Sequence, residues 1–194
     1  MQVEYLLPGG RAPIIRSYTV AAHSRFTIWV NHEFGLGSTD VSATVTSSQP
    51  IIVERAMWWP APAALWHEAH NSPGATSART KWAVADGEVG GSHLTETYIL
   101  VAKTGDAAGS AKVTLVFEDG SPAVEKTISL SAHSRTNVNV AVEFGVAVAG
   151  KRFGAIVESL GTTPVPIVVE RSVYSSANGI VWAAGSNSLA ARLQ

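Results

Sequence analysis

The chain reads as short apolar or alternating segments divided by turn residues. In residues 135–142, Val138, Val140 and Val142 fall on one face while Asn137 and Asn139 fall on the other. That period of two is the mark of a strand with one wet face. Residues 112–118 and 123–130 flank Asp119-Gly120, a dipeptide that tolerates the positive φ of a type I′ hairpin turn. Further strands are predicted at 97–103, 152–159, 165–174 and 179–183. Turn signals recur about every ten residues, the spacing of a sandwich of about seven strands. No window sustains a 3.6-residue period. The best helical candidate, residues 61–70, begins among Pro60 and Pro62 and is read as loop or a single turn.

The pattern repeats. Ala22-His23-Ser24-Arg25 recurs as Ala132-His133-Ser134-Arg135, and Glu33-Phe34-Gly35 as Glu143-Phe144-Gly145, both 110 positions on. Residues 3–10 align with 113–120 at the same offset. Ile51-Ile52-Val53-Glu54-Arg55 matches Ile167-Val168-Val169-Glu170-Arg171, and Asn71-Ser72 matches Asn187-Ser188, both 116 positions on. The extra residues of the second copy are placed within 160–166, as a lengthened surface loop. The first copy has no counterpart of Lys81-Trp82-Ala83-Val84-Ala85 or of Thr97-Tyr98-Ile99-Leu100-Val101. The chain therefore reads either as a segment of a longer array or as a short protein whose first unit lacks two strands. The expected fold is all-β: tandem immunoglobulin-like antiparallel β-sandwiches, with residues 1–79 the N-terminally incomplete first and residues 80–194 the second. A sandwich short of two strands exposes unpaired edges and apolar faces. A neighbouring molecule, the other unit or a rearranged topology should cover them, and strand donation between subunits is one such device.

Composition narrows the classes. A chain of 194 residues that is 46% hydrophobic and 15% charged is neither a disordered tail nor a charge-rich coiled coil. Fourteen basic against 15 acidic residues supply no electrostatic drive toward nucleic acid. There is no apolar run of about 18 residues for a membrane-inserted helix. The absence of cysteine excludes disulfides, thiolate metal sites and cysteine nucleophiles. Met1-Gln2-Val3-Glu4-Tyr5 has no basic region followed by a long apolar one, so no signal peptide is read here.

Candidate chemistry is sparse. His67-Glu68-Ala69-His70 lacks the four-residue spacing that places two histidines of His-Glu-x-x-His on one helix face; a solvated loop is expected and no metal site. His23 and His133 each precede Ser-Arg at a strand start, without a Gly-x-Ser-x-Gly elbow or an oxyanion hole, and are read as turn residues. Glu54-Arg55 and Glu170-Arg171 sit in apolar strands, where neighbours point to opposite faces, so one charge of each pair faces inward and needs a partner. Arg25 and Arg135, or Glu33 and Glu143, are the expected partners, because they too repeat. Trp29 aligns with Asn139, on the wet face of its strand, and is expected to point away from its own core. Together with Trp58, Trp59 and Trp66 it is a candidate for assembly or for stacking on a sugar ring. No catalytic residues and no cofactor are expected.

The segments Tyr98-Ile99-Leu100-Val101-Ala102, Pro50-Ile51-Ile52-Val53-Glu54-Arg55-Ala56-Met57-Trp58-Trp59, His70-Asn71-Ser72-Pro73-Gly74-Ala75-Thr76 and Thr80-Lys81-Trp82-Ala83-Val84-Ala85-Asp86-Gly87 resemble uncharacterised tandem-repeat modules of large secreted or surface-anchored bacterial proteins. That resemblance implies an extracellular or cell-surface location and a non-enzymatic structural or adhesive role. Its partners would be copies of itself or neighbouring repeats, up to a fibre built by strand complementation. The alternative is a carbohydrate-binding module using the exposed tryptophans. The second copy departs from the first, with Ser172-Val173-Tyr174 in place of Ala56-Met57-Trp58, so a tryptophan site would belong to the first copy alone.

Overall fold

The computed structural model describes residues 1–61 and 64–193, without the side chains of residues 60, 61 and 64–67. The first repeat contributes β1 (Gln2–Pro8), β2 (Ile14–Ser17), β3 (Ser42–Thr46), β4 (Glu54–Ala61) and β5 (Ala64–Pro73). β6 (Lys81–Glu88) and β7 (Glu96–Lys103) come next, then β8 (Gly109–Phe117), β9 (Val124–Leu130), β10 (Ser134–Asn139), α1 (Val140–Phe144), β11 (Arg152–Ser159), β12 (Val168–Ala177), β13 (Ile180–Leu189) and β14 (Ala191–Arg192). The duplication is visible in the pairing. β1 pairs antiparallel with β2 and β3 as β8 pairs with β9 and β11, and β4 pairs with β5 as β12 pairs with β13. The extra residues of the second copy fall in the bend between β11 and β12.

The chain is mostly β, but the two repeats are not two separate sandwiches. In the second, a sheet ordered β14-β6-β11-β8-β9 shares one core with β12, β7 and β10. Twenty buried residues form that core, among them Trp82, Ile99, Val113, Val138, Val157 and Ile167. At typical values each such side chain contributes about 1.5–3 kcal/mol. Among the described residues the first repeat has a smaller buried cluster of its own, Val3, Tyr5, Leu7 and Leu36. Its sheet joins the second repeat's: Leu7 and Pro8 of β1 pair in parallel with Ser134 and Arg135 of β10. The result is a seven-stranded sheet, β13-β12-β7-β10-β1-β2 with β3 on β1. Both faces of β1 are used. Val3 and Tyr5 line the small core, while Leu6, on the opposite side, is fully buried.

One local device repeats intact. Ser24 Oγ donates to the Ala21 carbonyl at 2.7 Å and Ser134 Oγ to the Ser131 carbonyl at 2.6 Å. The preceding histidines both take a left-handed φ, 54° at His23 and 45° at His133. Beyond the serines the two copies part. After Ser134 the chain runs as β10, antiparallel to β7, with Val138 opposite Ile99. After Ser24, residues 24–29 form no strand. Among the described residues none pairs with them as β7 pairs with β10, and a strand without a neighbour has no ladder to satisfy its backbone groups.

Three local expectations are corrected. The alternation of residues 135–142 ends as a strand at Asn139, whose side chain accepts from the Val142 amide at 3.2 Å and starts α1. This N-cap bond outcompetes continued pairing and leaves Val142 outside the core. The β8–β9 hairpin closes on Leu115 opposite Val124, a longer loop than a two-residue turn. Only Gly120 of the Asp-Gly pair takes a positive φ (74°), and Asp119 instead accepts from the Ser121 amide. Residues 61–70, read as loop, belong to the β4–β5 hairpin where they are described: Met57 pairs with His70 and Ala61 with Ala64.

Candidate binding site

The repeat allows each position of the first copy to be compared with its counterpart. Ile167 and Val169 are fully buried, yet Ile51 and Val53 are 41% and 40% exposed. Ile52 is 95% and Phe34 89% exposed, whereas the counterpart of Phe34, Phe144, packs against the main core. Arg135 is buried and donates to the Val41 carbonyl and Asn137 Oδ1, both at 2.6 Å, while Arg25 is exposed. In the second copy these positions flank one strand. β7 lies between β10 and β12, with Val101 opposite both Thr136 and Val169, and Ile99 opposite both Val138 and Arg171. Of the apolar positions left open in the first repeat, Ile52 and Val53 correspond to Val168 and Val169, which pair with β7 in the second.

A second gap lies on β3. Its counterpart β11 pairs on one side with β8 and on the other with β6, but β3 pairs with β1 alone among the described residues. An open cleft of about 530 Å³ sits at this end, lined by Met1, Tyr18, Thr46, Ser47 and Ser48 among others. Tyr18 and Tyr5 share a hydrogen bond of 3.0 Å between their hydroxyls. Burial raises the pKa of both phenols above the ordinary tyrosine value.

The four tryptophans singled out in the sequence divide. Trp29 is 53% and Trp58 37% exposed; their ring centroids lie 6.0 Å apart, and Trp29 stacks on His32 at 4.2 Å. Trp29 lies outside any strand, just before a single 3-10 turn at Val30–His32. Trp59 faces inward between the two β-hairpins. Its Nε1 donates to the Trp182 carbonyl at 2.8 Å, and its ring meets Tyr174 edge-on at 5.5 Å. Tyr174 stacks on Trp182 at 4.9 Å. His70 joins this cluster, 5.6 Å from Trp59, with no hydrogen-bond partner for either ring nitrogen among the described residues. Burial, and then the Arg55 guanidinium, hold its pKa below the usual histidine value. The side chains of Trp66 and His67 lie outside the described residues. Among the described residues no three His, Asp or Glu side chains are grouped to hold a metal ion.

Among the described residues most ion pairs lie within one repeat, and Arg55–Glu170 and His133–Glu4 join the two. Arg55 pairs with Glu170 at 3.4 Å, joining β4 to β12. Arg171 reaches Asp86 Oδ2 at 2.9 Å and also donates to the Ala85 and Asp86 carbonyls and to Ser186 Oγ. Glu54 and Arg25 are exposed and make no ion pair among the described residues, and Arg135 bonds neutral oxygens there rather than a carboxylate. Glu33 and Glu143 take different partners from those expected, Arg16 at 3.5 Å and Lys126. These two pairs are themselves related by the repeat, and the signal for them is in the sequence: a basic residue stands 17 positions before the glutamate in each copy. His133, which sequence marks only as a turn residue, also links the repeats. Its Nε2 lies 2.7 Å from Asp106 Oδ1 and its Nδ1 lies 2.7 Å from Glu4 Oε1 of β1. The bond to Asp106, helped by Glu4, raises the His133 pKa above the usual histidine value. Beside it, Lys103 is buried, and desolvation lowers its pKa.

No protein-family model and no curated protein matches the chain. Solved structures do. One is that of Thermotoga maritima 1070, at 20% identity and a TM-score of 0.48, over 60% of this chain and 95% of that one. Another is the Anabaena sensory rhodopsin transducer, at 20% identity and a TM-score of 0.40, over 50% of this chain and 91% of that one. The resemblance to tandem-repeat modules of secreted or surface-anchored bacterial proteins is corrected by these comparisons. The chain's likenesses lie with these two structures, and neither supports surface adhesion or filament formation. At this identity and TM-score the likenesses carry no functional argument. No helix of the described residues is long and apolar enough to cross a membrane.

Proposed function

We propose that the protein is a non-enzymatic interaction module, in which the complete second repeat is a scaffold and the first repeat is a surface for association. The observation that carries this reading is the contrast between matched positions: Ile167 and Val169 are covered, Ile51 and Val53 are not. Exposed apolar groups clustered on one face, beside unpaired backbone, favour association.

Hydrogen exchange on the full chain tests the reading. Amides of residues 24–29 and 51–53 should exchange orders of magnitude faster than those of 134–139 and 167–169. Equal protection of the two sets would show that the first repeat is already closed, and the reading would fall. A second reading, sugar stacking, is favoured by the adjacency of exposed Trp29 and Trp58. Glycan-array binding abolished by Trp29→Ala would establish it in place of the first.

A further inference from the structure

One contact between the repeats turns on a histidine that faces an acid on each side. His133 lies in the turn between β9 and β10. Its backbone amide donates to the Gly105 carbonyl at 3.3 Å, so the turn stays with the second repeat whatever the ring does. The ring itself is shared. Nε2 lies 2.7 Å from Asp106 Oδ1, in the turn between β7 and β8, with the geometry of a hydrogen bond. Nδ1 lies 2.7 Å from Glu4 Oε1 on β1, without the direction of one. A neutral imidazole carries one N–H and one lone pair, and a carboxylate only accepts. The ring can therefore hold both acids only as the imidazolium. Losing the proton affects the two contacts differently. The directed bond to Asp106 survives on a neutral Nε2–H. The contact with Glu4 rests on charge, and without the proton it sets a lone pair against a carboxylate oxygen. The Glu4 side chain is 19% exposed, so water replaces the lost partner only in part. Two cations complete the surroundings: Lys103, at the end of β7, stands beside Asp106, and Arg135 of β10 turns to the Val41 carbonyl and Asn137.

The junction that Glu4 serves is short. β1 meets β10 over two residue pairs, Leu7 with Ser134 and Pro8 with Arg135, beyond the residues of β1 that pair with β2 and β3. We propose that His133 is a pH-sensitive latch between the two repeats. Protonated, it holds Glu4 and Asp106 at once and fastens β1 to β10. Deprotonated, it keeps Asp106, releases Glu4 and loosens that junction. Asp106 and Glu4 both favour the proton, so the change falls above the ordinary histidine value. The junction is tight on the acid side of that point and loose on the alkaline side.

Hydrogen exchange and NMR on the full chain, between about pH 5.5 and about pH 9, test the latch. Exchange rates are corrected for their intrinsic dependence on pH. Amides around Leu7 and Arg135 should lose protection roughly three- to tenfold as pH rises, with the same midpoint as the His133 ring titration. Amides of β8 and β11, within the second repeat, should keep theirs. Glu4→Gln keeps the length of the side chain and removes its charge, and protection at the junction should then be flat with pH. Asp106→Asn retains the Glu4 contact and should move both midpoints down together. His70 titrates beside Arg55 in the other contact between the repeats, and its own ring signal keeps it apart. Constant protection in the unaltered chain overturns the latch. So does a midpoint that departs from that of His133, one that Asp106→Asn leaves in place, or a pH dependence that persists in Glu4→Gln. Protection lost equally in β8 and β11 is global destabilisation and overturns it too. Circular dichroism and Tm show whether the variants fold; should one not, the coincidence of the two midpoints in the unaltered chain decides.

Discussion

Ile51 and Ile167 occupy the same place in the two repeats, so one substitution made at each measures how far the first repeat is open. Ile→Ala removes three carbon groups. At about 0.8 kcal/mol for each buried group, the transfer loss at the fully buried Ile167 is about 2.4 kcal/mol. The cavity left among Trp82, Val101 and their neighbours in the core brings the expected cost to about 3–4 kcal/mol. At Ile51, 41% exposed, the buried share gives a transfer loss of about 1.4 kcal/mol. Open surroundings leave no closed cavity, so a cost of about 1 kcal/mol is expected. The two variants should thus differ by about 2 kcal/mol. Equilibrium urea unfolding reads this directly. With a slope of about 2 kcal/mol/M, the midpoint should fall by about 1.5–2 M for Ile167→Ala and about 0.5 M for Ile51→Ala. Equal losses would mean that Ile51 is as well covered in solution as its counterpart, and that the first repeat has no open face.

Three further outcomes are expected. His133 binds its proton more tightly folded than unfolded, so its contribution is complete below the unfolded histidine value and fades as pH rises through the raised folded one. Asp106, whose pKa the His133 bond lowers, loses its share only as pH falls through that lowered value; an NMR titration placing His133 at or below the ordinary 6.5 would contradict the bridge. Gly185→Ala places a Cβ 2.7 Å from Trp59 Cη2 and 2.8 Å from Tyr174 Cδ1; it should cost about 1–3 kcal/mol and red-shift tryptophan emission, and an unshifted spectrum at unchanged stability would refute the docking of the two hairpins. Arg171→Ala leaves the carbonyls of Ala85 and Asp86 without their donor and should cost about 3 kcal/mol, against about 1 kcal/mol for the more exposed Arg55→Ala; thermal melts giving the reverse order would show that the charge anchoring β6 at Ala85 and Asp86 had been misjudged.

Much of the architecture is legible in the sequence because it is local. The repeat, its extra loop and the strands at 97–103 and 152–159 come from alternation and turn residues, and the His-Ser turn forms in both copies through its own side-chain bond. The illegible part depends on partners distant in the chain. Residues 24–29 resemble 134–139 yet form no strand, and among the described residues none pairs with them as β7 pairs with 134–139. Residues 135–142 look like a strand throughout, but one Asn139 side-chain bond turns the last part into a helix. The docking of Trp59 against Tyr174 is hidden for a different reason. The close approach is set by the missing Cβ of Gly185, and a lone glycine in a strand announces no particular neighbour. The open positions do leave a trace in the sequence, since Ile51 and Val53 repeat residues that are buried in the second copy.

The parallel contact of Leu7 with Ser134 has a kinetic consequence. It closes a loop of more than a hundred residues, and such pairings form late because their chain entropy is lost before any contact rewards it. β10 is held by β7, close behind it in sequence, and can be in place before β1 arrives. Refolding should therefore be sequential, with the C-terminal repeat a finished template on which the N-terminal strands condense. During synthesis the order of emergence runs the other way. The first repeat leaves the ribosome with its template still unmade, and that interval is when its apolar residues are most exposed to misassociation.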